Sequence, residues 1–181
     1  MARIFDLNIK NYRRFENFSY CFHGKNVICL AGRGDSGKST ILDAIAAVLS
    51  PAWNLSFYDN DFHDLNTEIP IEITATLIDI PDSWKVEDKF GLFYKGYDPA
   101  QNVIVEHYDG ELLPAIKVCL SIDKTLEPSW EIVNDISGER ANFKKIGFFL
   151  LITRVLVRQA HLDAFGTTFF SKSRNKAIFC V

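Results

Sequence analysis

Gly32-Arg33-Gly34-Asp35-Ser36-Gly37-Lys38-Ser39 is the stretch on which the reading of this 181-residue sequence turns. It satisfies G-x-x-x-x-G-K-[ST], the pattern of a loop whose backbone N–H groups converge on phosphates. Glycine suits such a bend because it tolerates the dihedrals and lets the main chain approach an anion closely. Lys38 is expected to set its ammonium between the β- and γ-phosphates of ATP. The Ser39 hydroxyl is expected to ligate Mg²⁺, a hard cation that takes oxygen donors.

The flanks agree with the loop. Val27-Ile28-Cys29-Leu30-Ala31 is a short apolar run that reads as a strand buried on both faces. After Ser39 the period changes to 3.6, with Ile41, Leu42, Ala44, Ile45, Val48 and Leu49 on one helical stripe that Pro51 ends. A helix starting near Ser39 aims its unpaired N–H groups and the positive end of its dipole at the same anion.

Upstream, Ile4, Leu7 and Ile9 with Phe5 form a β-rich opening closed by Lys10 to Arg14, and Phe18 to Phe22 runs into what reads as a hairpin turn at His23–Asn26. Downstream, Trp53 to Asn66 reads as an ordered loop and Ile69–Ile80 as a half-buried alternating strand. Phe90–Tyr97, Asn102–His107, Ala115–Ile122 and Trp130–Val133 are further strand candidates, separated by Gly, Pro and Asp turns. The expected fold class is α/β: a P-loop NTPase lobe with an antiparallel β region.

The guanine-reading N-K-x-D is missing, since Asn175-Lys176 is followed by Ala177-Ile178. Small-molecule kinases of this size usually carry a G-x-x-G-x-G-K loop, and Asp35 stands where its second glycine would be. ATP with Mg²⁺ is therefore the expected ligand.

The opening Ile4-x-x-Leu7-x-Ile9-x-Asn11-Tyr12-Arg13-x-Phe15, together with Gly32-x-Gly34-Asp35-Ser36-Gly37-Lys38-Ser39-Thr40-Ile41-Leu42, resembles ATPases of the SMC and RecF type. Trp53-Asn54 through Asp61-Phe62 and the strand into Ile80-Pro81 are similar to the ATPase half of the OLD (overcoming lysogenization defect) family of ATP-dependent nucleases. The resemblance covers about residues 3–145. It implies an ABC-type ATPase head that closes as a homodimer around ATP, DNA as a partner of the full-length relative, and a Toprim nuclease domain following. It further implies that Arg13 lies near nucleotide or DNA and that Asp61 belongs to the region sensing γ-phosphate and Mg²⁺. From the residues alone, Arg13 also reads as an exposed turn residue and Asp61 as a loop-capping carboxylate.

Two stretches imitate other ABC motifs. Ile136-Ser137-Gly138-Glu139-Arg140 lacks the second glycine of a signature and reads as a turn; Leu77-Ile78-Asp79-Ile80-Pro81 has Ile80 where a Walker B strand needs Glu and alternates like an antiparallel strand. The expected function is accordingly an ATP-binding lobe of an OLD-like endonuclease, without Walker B, signature or Toprim parts and with little turnover alone. A non-catalytic ATP-binding module working with a separate partner, and a small kinase, are the alternatives.

Charge divides the chain. Residues 146–181 hold five Arg or Lys and a single acid, Asp163, a net of +4 that leaves −7 for residues 1–145. We expect an ATPase lobe at 1–145 and an atypical basic tail at 146–181, the product of a truncated or frameshifted reading frame, so that the ATPase domain is incomplete. The overall net charge of −3 does not advertise nucleic-acid binding. Four scattered cysteines form no C-x-x-C pair and the four histidines no ligand spacing. With no signal peptide and no 18-residue apolar run, a cytoplasmic protein without a membrane partner is expected.

Overall fold

The structure, a computed structural model, describes residues 2–50, 54–80 and 91–142. Eight strands among them form one sheet: β1 (Arg3–Tyr12), β2 (Phe15–Cys21), β3 (Ile71–Ile78), β4 (Tyr94–Asp98), β5 (Val103–Val105), β6 (Leu113–Ile122), β7 (Pro128–Val133) and β8 (Arg140–Asn142). The order is β2-β1-β3-β6-β4-β5, and every pairing is antiparallel. Along one edge of β6, residues Leu113 to Ile116 pair with β4 and residues Val118 to Ile122 with β7, so the sheet branches there. One helix, α1 (Lys38–Val48), lies against it.

Alternation decides which face meets the helix. The register aligns Leu7, Ala75, Val118 and Ile132 in one row and Ile9, Ile73, Leu120 and Trp130 in another. All eight are buried. With Ile41, Leu42, Ala44, Ile45 and Val48 of α1 they form the main core. The row next to the first of these, Asp6, Thr76 and Lys117, takes the opposite face, where Thr76 donates to Asp6 at 3.0 Å and Lys117 pairs with Asp135 at 2.9 Å. The half-buried strand expected at 69–80 is β3, and the helical stripe is α1.

Leu77-Ile78-Asp79 closes that central antiparallel strand, with Asp79 ion-paired to Arg3 at 2.6 Å. Ile136 to Glu139 belongs to the turn joining β7 and β8, held by Asn134 N–H on Glu139 O and Gly138 N–H on Asn134 O, both at 3.0 Å. Both stretches therefore follow their bland readings as strand and turn.

The apolar run 27–31 departs from expectation. It has no ladder partner among the described residues; Ile28 and Leu30 pack on the core, while Val27, Cys29 and Ala31 are exposed. A strand buried on both faces needs neighbours on each side and a layer above and below. Five apolar letters cannot reveal whether those neighbours exist. The turn at His23-Gly24 is present but leads into this irregular segment rather than into a hairpin strand. The candidate at 90–97 narrows to β4 behind a 3-10 turn at Gly91–Phe93, and the one at 102–107 shortens to β5. Trp53, Pro81, Phe90 and everything from residue 143 onward, including the expected boundary at 145/146 and the basic tail, lie outside the described residues.

Burial also sets a pH limit. The Tyr12 phenol is pushed up to about 12, first by burial and then by Asp61 and Asp43, against the lowering effect of Arg13. Burial likewise lifts the Cys119 thiol to about 11. A raised folded-state pKa leaves stability intact below the unfolded value, which is 9.0 for the thiol and 10.0 for the phenol, and erodes it as pH rises toward the folded value. Between pH 8 and pH 11 the unfolding free energy should fall by about 3–4 kcal/mol, read by denaturant titration. Tyr12→Phe and Cys119→Val should each remove part of that slope.

Candidate functional site

The loop Gly32 to Gly37 closes onto the first turn of α1. Ser36 N–H donates to Arg33 O at 3.3 Å, and the first helical bond runs from Ile41 N–H to Gly37 O at 3.0 Å. Gly37 is the N-cap, at φ 87° and ψ 8°. A Cβ there would sit 2.5 Å from Phe15 Cζ, so both the left-handed backbone and the overlying ring require glycine. Asp35 at φ 57° also takes the left-handed region, which Asp tolerates better than most residues.

The start of α1 is electrostatically incomplete. Among the described residues no side chain caps it; its first turn holds no acid and contains Lys38, whose sign opposes the dipole. An anion is what such a terminus accommodates. The Lys38 ammonium donates to Arg33 O at 2.6 Å, Gly32 O at 3.0 Å and Ser36 Oγ at 3.2 Å. Two of these acceptors are neutral carbonyls and the third a hydroxyl. Phosphate oxygens can displace them, because an anionic acceptor adds a charge–charge attraction that neutral carbonyls and a hydroxyl lack.

Arg13, Arg14, Asp35, Ser36, Gly37, Lys38, Ser39 and Thr40 line a cleft of about 290 Å³. The structure thus brings Arg13 beside the loop. Gly32, Arg33 and Gly34 form the loop's entry and do not line the cleft. Ser39 is exposed at the helix start and Thr40 is buried beneath it. The donor set suits Mg-ATP: uncapped helix amides and an ammonium for phosphate, and a hydroxyl for a hard cation.

Asp61 stands apart from that cleft. Its Oδ1 accepts from Arg13 Nε at 2.8 Å and its Oδ2 from Tyr58 N–H at 3.0 Å, in the 3-10 turn Asp59–Asp61. This is the geometry of a capping carboxylate that also clamps an arginine. Arg13 reaches Asp43 of α1 through Nη1, and its guanidinium lies 5.0 Å from the Tyr12 ring centroid. Burial opposes the charge of Arg13, but the hydrogen bond that it donates to Asp61 and the nearby Tyr12, Asp61 and Asp43 outweigh it and leave its pKa raised.

The sequence assigns no site role to Arg14 or Asp43 and offers Phe15 only as a letter of the opening motif. Adjacency to Arg13 was the one available signal for Arg14. Phe15 over Gly37 and Asp43 against Arg13 follow from how the hairpin tip docks, which no spacing encodes.

The AAA ATPase domain family profile matches residues 3–164. The chain belongs to that family. Its AAA ATPase domain includes the loop, the sheet and α1 just described. No match is found among the curated proteins. Among solved structures, a chain described under ATP-driven dimerization and DNA stimulated activation of SMC ATPases is 16% identical at a TM-score of 0.46, over 80% of this chain and 75% of that one. The Smc head domain with a coiled coil and joint from Pyrococcus yayanosii is 17% identical at a TM-score of 0.48, over 81% of this chain and 24% of that one. An Smc head domain from Pyrococcus furiosus, bound to the C-terminal domain of ScpA, is 18% identical at a TM-score of 0.48, over 81% and 32%. Identities and scores this low transfer no residue roles to the AAA ATPase domain. No helix of the described residues is long and apolar enough to cross a membrane.

Proposed function

We propose that this AAA ATPase domain binds Mg-ATP as the N-terminal lobe of an ABC-type, OLD-like, DNA-directed ATPase. The observation that supports it most is the closure of Gly32–Gly37 onto an uncapped helix start carrying Lys38. Loop and helix amides would hold the phosphates, Lys38 would counter their charge and Ser39 would ligate Mg²⁺. Asp61 serves in this reading as the clamp on Arg13 rather than as a metal ligand. Dimer closure around ATP and DNA as the partner follow from the resemblance of residues 3–145 and are proposed on that basis; a cytoplasmic location is proposed from the sequence features given above. Residues 1–145 would form the lobe and residues 146–181 a separate basic tail.

Turnover tests this reading. Asp35 is the one carboxylate among the residues lining the cleft, and it sits in the loop itself. The chain alone should therefore hydrolyse ATP slower than about 10⁻² s⁻¹, the range of phosphate-loop proteins without stimulation. Adding a full-length relative, with or without duplex DNA, should raise the rate, measured as phosphate release. A chain that binds ATP and docks on a defined partner without any gain in turnover would instead be a regulatory module. Rapid phosphoryl transfer to a small acceptor would contradict both.

A further inference from the structure

The two arginines that line the cleft are not equivalent. They form the two-residue turn of the β1–β2 hairpin, closed by the Tyr12–Phe15 pair. Phe15 rests on Gly37, which docks the hairpin tip against the phosphate loop. Arg13 is committed: Nε binds Asp61 at 2.8 Å, Nη1 binds Asp43, and the ring of Tyr12 lies beneath. Its backbone is tied as well, N–H to Asp61 O at 2.7 Å and carbonyl to His63 Nδ1 at 2.8 Å. Two carboxylates facing one guanidinium leave a local charge of −1, which does not attract phosphate.

Arg14 is exposed and, among the described residues, has no carboxylate within ion-pair distance. Among the described residues nothing pairs its charge next to the cleft that it lines. Guanidinium presents a planar fork that matches phosphate oxygens in pairs.

We propose that Arg14 is the hairpin's phosphate-binding cation and that Arg13 is its positioning residue, fastening the hairpin to α1 and to the Asp59–Asp61 turn. This assignment rests on the nucleotide reading above and extends it to a residue outside the loop motif.

Titration of the full chain with a slowly hydrolysed ATP analogue and Mg²⁺, alongside the thermal midpoint without nucleotide, tests it. Arg14→Gln should weaken affinity about tenfold at an unchanged midpoint, and Arg14→Lys should recover part of the loss. Arg13→Gln should lower the midpoint while affinity, measured where the variant is folded, changes less than about threefold. Wild-type affinity in Arg14→Gln overturns the proposal. So does a tenfold loss in Arg13→Gln at an unchanged midpoint. Absence of binding by the wild type fails the nucleotide reading itself, a result distinct from either of these.

Discussion

Trp130→Ala should lower the unfolding free energy by about 3–5 kcal/mol, the range for truncating a fully buried tryptophan. Trp130 is 1% exposed and stands in the inward row with Leu120, Ile73 and Ile9. Its indole N–H donates to Ala47 O of α1 at 3.3 Å, so it joins sheet and helix by packing and by a directed bond. Removing it opens a cavity beneath the last turn of the helix whose first turn carries Lys38. Trp130→Phe retains much of the volume and loses the donor, and should cost about 1–2 kcal/mol. Denaturant unfolding of the three proteins reads both values. Equal stability of Trp130→Ala and wild type would mean that α1 does not pack where the structure places it.

Lys38→Ala should weaken Mg-ATP binding about 100-fold while leaving the fold intact. The side chain is half-buried and, among the described residues, bonds only to loop oxygens at the cleft, so its loss touches no described part of the core. It also removes a cation from a helix N-terminus, a change that favours the unliganded helix slightly. Stability and affinity should thus move in opposite directions. That split separates a ligand-binding lysine from a structural one, whose removal would lower both.

The sequence shows the fold wherever one face is buried and the other wet. Ile71, Ile73 and Ala75 alternate with Glu72 and Thr74 because α1 covers one side of β3 and water meets the other. The loop motif and the helical stripe were legible for the same local reason. Val27 to Ala31 was not, because an apolar run says nothing about which strands flank it. β8 also escaped notice, since Arg140-Ala141-Asn142 has little β character and owes its pairing to the turn before it. Within the site, Gly37 and Lys38 could be read from spacing alone. That Asp43 and Asp61 both take up Arg13, leaving Arg14 to face the cleft, depends on contacts 30 and 48 residues apart in the chain.

Equilibrium titration of the wild-type chain with Mg-ATP, by calorimetry at fixed ionic strength, bears most directly on whether the bend before α1 is a triphosphate cradle. Saturable one-to-one binding that requires the Lys38 ammonium is the predicted result. Heats no different from buffer, or binding that Lys38→Ala leaves untouched, would contradict it.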